Sequence, residues 1–217
     1  MAATPTLDVV IPVGRAVLRG MLAVPEGAQG IVAFAHGSGS SRLSPRNQEV
    51  ARSLQAAGFG TLLFDLLTQD EAVVDERTRE HRFDIPLLGE RMVAAIDWLG
   101  EQGGAASLPI GLFGASTGAA AALVAAAERP DDVAAVVSRG GRPDLAGEAL
   151  TRVAAPTLLI VGGHDAPVIG MNESAQARLR GESRLVIVPG ATHLFEEPGT
   201  MEQVTDHVIR WFGEHLR

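Results

Sequence analysis

Six short apolar runs, each separated from the next by a crossover long enough to hold a helix, constrain this chain more than any other feature. The runs are Ile31–Ala35, Thr61–Phe64, Leu108–Phe113, Val133–Val137, Thr157–Val161 and Arg184–Val188. Continuous apolar character over so few residues predicts strands buried on both faces. Crossovers of helical length between them predict a mostly parallel sheet with helices on both faces. Two further β-rich runs, 7–13 and 16–24, meet at Gly14-Arg15 and read as an antiparallel hairpin. The expectation is an α/β fold on an eight-stranded sheet. In such sheets function gathers at the carboxyl ends of the strands.

Helices are expected over 45–57, where Ser44-Pro45 supplies a cap and a first turn, and over 85–102, 116–129 and 172–179. A last helix, about Thr200–His215, sets Met201, Val204, Val208, Ile209 and Phe212 along one side. Residues 68–84 are charged and without pattern, and Arg139–Leu150 is loop-rich.

With 217 residues, 46% hydrophobic and 20% charged, the chain fits one globular domain, 1–217. The most apolar stretch, Ala119–Ala127, is too short to cross a bilayer, and the start lacks the basic segment of a signal peptide. A cytoplasmic protein is expected. A net charge of -8 argues against nucleic acid or an anionic membrane as partner. There is no Cys, no Tyr and no Lys, all eighteen basic residues being Arg. Thiolate nucleophiles, thiolate zinc sites, Schiff bases, a P-loop lysine and Tyr–Lys dehydrogenase chemistry are therefore excluded. Ser, Thr, Asp and Glu remain for covalent work, with six His as bases.

Gly114-Ala115-Ser116-Thr117-Gly118 is a Gly-x-Ser-x-Gly motif between an expected strand and an expected helix. That context suits a nucleophile on a tight turn, with small neighbours allowing strand and helix to approach. Asp165 follows the strand Thr157–Val161 in Gly-Gly-His-Asp, and His193 follows Arg184–Val188 in Gly-Ala-Thr-His. The order Ser, Asp, His, each at a strand's carboxyl end, is that of an α/β-hydrolase triad. His36-Gly37-Ser38-Gly39 follows the first parallel strand, so the N–H groups of Ser38 and Thr117 are the expected oxyanion donors. His36 then serves to fix its loop.

Each residue also has a plainer role. Ser116 could cap its helix, and Asp165 could be a turn residue. His164 beside Asp165 lacks a third ligand at metal spacing, so no metal is expected. His207 and His215 read as solvated, and His81 as a surface or lid residue. Arg42, Arg46 and Arg139 lie near the expected mouth; Arg42 and Arg139 are candidates to hold a substrate carboxylate, or else to pair with acids such as Asp65 and Glu49. A rival is a dinucleotide-binding oxidoreductase, since Gly37-x-Gly39 with Asp65 imitates that fingerprint, although Arg42 stands at the third glycine position. A non-catalytic binding module on the same fold is another.

The blocks His36-Gly-Ser-Gly-Ser-Ser, Asp65-Leu-Leu, Phe83-Asp-Ile-Pro, Gly114-Ala-Ser-Thr-Gly, Ser138-Arg-Gly-Gly-Arg, Gly-Gly-His-Asp and Ala-Thr-His resemble the dienelactone hydrolase-like family of α/β-hydrolases. They are most similar to small bacterial members, some fused to phosphoribosyltransferase domains. The resemblance implies a cofactor-free hydrolase acting on a small-molecule ester, with Ser116, Asp165 and His193 catalytic. Dienelactone hydrolases proper use a Cys nucleophile, so the Ser here implies a more general esterase; a perhydrolase or acyltransferase would use the same triad. The large lid of many α/β-hydrolases is missing, which implies an open, short pocket for small acyl groups.

Overall fold

The computed structural model describes residues 4–217. Among them eight strands form one sheet: β1 (Thr6–Val13), β2 (Ala16–Ala23), β3 (Ile31–Ala35), β4 (Gly60–Phe64), β5 (Ile110–Ala115), β6 (Val133–Arg139), β7 (Thr157–Gly162) and β8 (Ser183–Val188). Their order is β1-β2-β4-β3-β5-β6-β7-β8. The β1–β2 hairpin joins β4 antiparallel, and β4 through β8 run parallel. This is the eight-stranded, mostly parallel sheet that the apolar runs predict.

The two faces of the sheet bury two apolar layers, and side-chain alternation along each strand feeds both. On β5, Leu112 enters one layer and Phe113 the other; on β3, Ala33 and Phe34 divide the same way. One layer packs α3 (Ile85–Gly100) and α4 (Thr117–Glu128) through Leu88, Met92, Ile96 and Leu123. The other packs α1 (Pro45–Ala56) and α6 (Thr200–His215) through Val50, Leu54, Val208 and Phe212. Each fully buried Leu, Phe or Met contributes about 1.5–3 kcal/mol.

Small residues set how closely α4 meets the sheet. A Cβ on Gly114 would lie 2.4 Å from the Cα of Ala119, so the helix backbone rests against strand backbone there. The alanines of α4 are buried, and its tight docking fixes the turn that leads into it.

Three expectations need correction. Residues 69–78 are helical (α2, Gln69–Thr78), where no element was expected. Thr68 accepts the Glu71 N–H and Glu71 accepts the Thr68 N–H, a capping box that offsets the weak apolar pattern. The helix expected over 172–179 is α5, Ala166–Gln176, and starts directly after Asp165. His215 is half-buried and not freely solvated: its ring packs tilted against Trp211 with centroids 4.3 Å apart, and its Nε2 is buried. The stretch after β6 is a 3-10 segment, Pro143–Arg152, kinked at Gly147. No helix among the described residues is long and apolar enough to cross a membrane.

Candidate active site

Helix caps single out the candidate residues. Ser44, Thr68 and Asp84 each occupy the residue before a helix and accept a backbone N–H from its first turn, as their side chains favour. Ser116 and Asp165 occupy the same position before α4 and α5, yet neither side chain caps its helix. Two good capping groups are thus held back from the backbone groups nearest them.

Asp165 is turned instead to His193. The imidazole Nδ1 lies 2.6 Å from Asp165 Oδ2, across 28 residues of sequence. The Asp165 side chain is mostly covered, whereas that of His193 is 38% exposed and open to a reactant. A carboxylate at Nδ1 holds the proton on that nitrogen and leaves Nε2 as the acceptor.

Ser116 sits at φ 52°, ψ -123°, a backbone conformation that non-glycine residues rarely adopt. Neighbours hold it there from both sides: Ser116 N–H donates to Arg139 O at 3.2 Å, and Arg142 N–H donates to Ser116 O at 3.0 Å. Stored backbone strain of this kind concentrates at functional sites. A Cβ on Gly118 would lie 2.3 Å from Ala35 O, so only glycine lets α4 begin beside the end of β3. A Cβ on Gly37 would lie 3.2 Å from Ser116 Cβ, which puts the His36–Ser38 loop against the serine. From the other side, a Cβ on Gly140 would lie 3.6 Å from His193 Cε1. The three sequence candidates are therefore gathered around one turn.

Neither the Ser38 nor the Thr117 N–H has an acceptor among the described residues. Thr117 opens α4, where the first N–H groups have no carbonyl a turn earlier and attract negative charge. The loop bearing Ser38 is held by His36: Leu66 N–H donates to His36 Nε2 at 3.0 Å, so Nδ1 carries the proton and donates to Gly37 O at 3.0 Å. Burial pushes the His36 pKa below the ordinary imidazole value, with the Gly37 hydrogen bond and Asp65 opposing.

The arginines do not supply a free carboxylate fork. Arg42 is committed to Asp65, which accepts both its N–H and its guanidinium. That pairing also takes up the carboxylate a dinucleotide ribose would need. Arg46 pairs with the exposed Glu196 at 2.9 Å, not with Glu49. Arg139 is buried beside Phe113, outside the lining of the cleft, with its Nη1 unpartnered. Burial, with Arg46 adding to it, lowers its pKa to about 10, so it stays charged at neutral pH. His164 is exposed, and no group of three or more metal-ligating side chains occurs among the described residues.

A cleft of about 990 Å³ opens beside this turn, lined by His36, Ser38, Arg42, Asp65 and Thr117 and, farther out, by Glu71 of α2. Ser116, Asp165 and His193 themselves are not part of its lining. Nothing large covers the site after β6, but α2 builds a wall from the β4 side. Asp75, buried in α2, accepts the N–H groups of His81 and Arg82 and the Arg82 guanidinium. Burial would raise its pKa, but those donors outweigh it and hold it below the ordinary carboxylate range. Arg91 of α3 donates to Glu71 at 2.9 Å and ties the same wall to the body. The signal for this wall was present as Thr68-x-x-Glu71, a capping box ahead of a charged stretch.

Comparisons with known proteins agree with this architecture. The dienelactone hydrolase family profile matches residues 18–216. A dienelactone hydrolase from Anabaena variabilis, of known structure, is 58% identical, with both chains covered in full and a TM-score of 0.98. Est1E from Butyrivibrio proteoclasticus is 16% identical over 95% of this chain and 98% of its own, with a TM-score of 0.79, a likeness of fold alone. Two Mycobacterium tuberculosis proteins that bear the name "Putative phosphoribosyl transferase" are 57% identical over 99% of this chain. The match covers 48% of their length, so the chain spans about half of these curated relatives. By its profile match, its sheet order and the identity it shares over its whole length, the chain belongs to the dienelactone hydrolase family and has the α/β-hydrolase fold.

Proposed function

We propose that this chain is a serine hydrolase cleaving carboxylic esters on one α/β-hydrolase domain. The observation that carries this is the pair of withheld helix caps, with the Asp165 carboxylate spent on His193 and the Ser116 hydroxyl left free. His193 Nε2 takes the proton from Ser116, whose oxygen attacks the ester carbonyl. The Ser38 and Thr117 N–H groups stabilise the oxyanion that forms. His193 then protonates the leaving alcohol, and water releases the acid from the acyl-enzyme by the same steps in reverse roles. Asp165 keeps the imidazole in the tautomer this needs. The Mycobacterium tuberculosis relatives carry a transferase name, and this chain spans 48% of their length.

Treatment with a fluorophosphonate, followed by mass spectrometry, is expected to place the label on Ser116. Ser116→Ala is expected to lose at least about a thousandfold in kcat toward p-nitrophenyl acetate. An unlabelled, folded wild-type protein would favour the binding-module reading instead.

A further inference from the structure

Three of the buried hydroxyls, those of Thr157, Thr200 and Thr205, donate to a backbone carbonyl. Thr205 donates to Met201 O at 2.9 Å and Thr157 to Ala155 O at 3.0 Å. Exposed ones on helices do the same four residues back, as Ser174 does with Gly170 O at 2.8 Å. Thr117 does not. It is 3% exposed, and its Oγ1 is covered and without a partner. The cause is local: Thr117 is the first residue of α4, so the residue four positions earlier, Phe113, lies in β5 and offers no helical carbonyl. One other buried hydroxyl among the described residues, that of Ser138, also lacks a partner, but only Thr117 lines the cleft.

A buried polar group left unpaired loses its hydration and gains nothing in return. Such groups persist where a bound reactant completes them. We propose that the Thr117 hydroxyl donates to the carbonyl oxygen of the bound ester as it becomes an oxyanion, making Thr117 a two-pronged donor through its N–H and its Oγ1. This rests on the serine-esterase reading above. It implies that the site is built for a substrate oxygen at the start of α4, and that the free enzyme sacrifices stability to keep that donor unspent.

The test compares Thr117→Val, which keeps the side-chain shape without the hydroxyl, with Thr117→Ser, which keeps the hydroxyl, and with Thr117→Ala, which adds no atom to a tight site. Hydrolysis of p-nitrophenyl acetate, fluorophosphonate labelling and thermal melting are measured on each. Thr117→Val and Thr117→Ala are expected to lose about tenfold to a hundredfold in kcat, with KM little changed. Thr117→Ser should stay within a few-fold of wild type. The melting temperature of Thr117→Val should equal or exceed that of wild type, because the variant removes an unpaired buried group. Wild-type labelling at Ser116 together with undiminished kcat in Thr117→Val and Thr117→Ala overturns the inference while leaving the esterase reading intact. A lower melting temperature in Thr117→Val, with kcat retained, assigns the hydroxyl to structure and overturns it as well. No labelling of wild type removes the esterase reading and the inference with it.

Discussion

His36 holds the loop of one candidate oxyanion donor through a ring that must stay neutral. Its Nε2 accepts the Leu66 N–H, so a proton placed there would set a donor against a donor in a buried site. Because folding lowers this pKa, the unfolded chain binds the proton more readily than the native one. The stabilisation is therefore complete above about pH 6.5, the unfolded imidazole value, and is lost as the pH falls below it. Urea unfolding at pH 7.5 and pH 5.0 is expected to show lower stability in acid, with a shallower difference in His36→Gln. Equal differences in the two proteins would remove His36 from the account. Ser116 and Asp165 show at the same scale why residue type alone was ambiguous. Each is a good cap by chemistry, and only the structure reveals that the Asp165 carboxylate is spent on His193 while the Ser116 hydroxyl is left free.

Among the elements, α2 is the one whose role came from the structure. Its residues carry few apolar side chains, so hydrophobic periodicity had nothing to register; what holds it is polar. Removing the Asp75 carboxylate leaves two N–H groups and a buried end of Arg82 without their acceptor. Asp75→Ala is expected to loosen α2 by about 1–3 kcal/mol. Trypsin should then cut faster after Arg79 or Arg82, and KM for esters should rise more than kcat falls. Unchanged proteolysis would mean that α2 is held by other contacts. The strands and α6, by contrast, follow from apolar pattern alone, and their bounds in the structure lie within a few residues of those expected.

For the molecule as a whole, stability depends on how closely the helical layers press on the sheet. The ring of Phe212 on α6 lies over Gly111 of β5, where an added Cβ would come within 2.6 Å of Cε1. Gly111→Ala is expected to cost about 1–3 kcal/mol by overpacking. Gly103→Ala, at a position with no atom within 4 Å of the added carbon, should be nearly neutral in the same melting experiment. The two layers meet the sheet on opposite faces, yet α4 and the loops after β3, β6 and β8 converge on the Ser116 turn. Close packing of the layers is thus what keeps that turn in its strained conformation.

The fold class was legible in the sequence because burial on both faces demands continuous apolar strands, and their spacing demands parallel crossovers. The order Ser116, Asp165, His193 at strand ends was legible for the same reason: strand ends can be located from the runs alone. The limits of α5 were not, since Asp165 and Pro167 open it in place of an apolar signal. Nor could the sequence say that Arg42 belongs to Asp65, that Arg139 lies off the cleft, or that Thr117 is unpartnered. Those facts depend on which groups meet across the chain, and hydrogen-bond pairing at a distance leaves no periodic trace in the residues that make it.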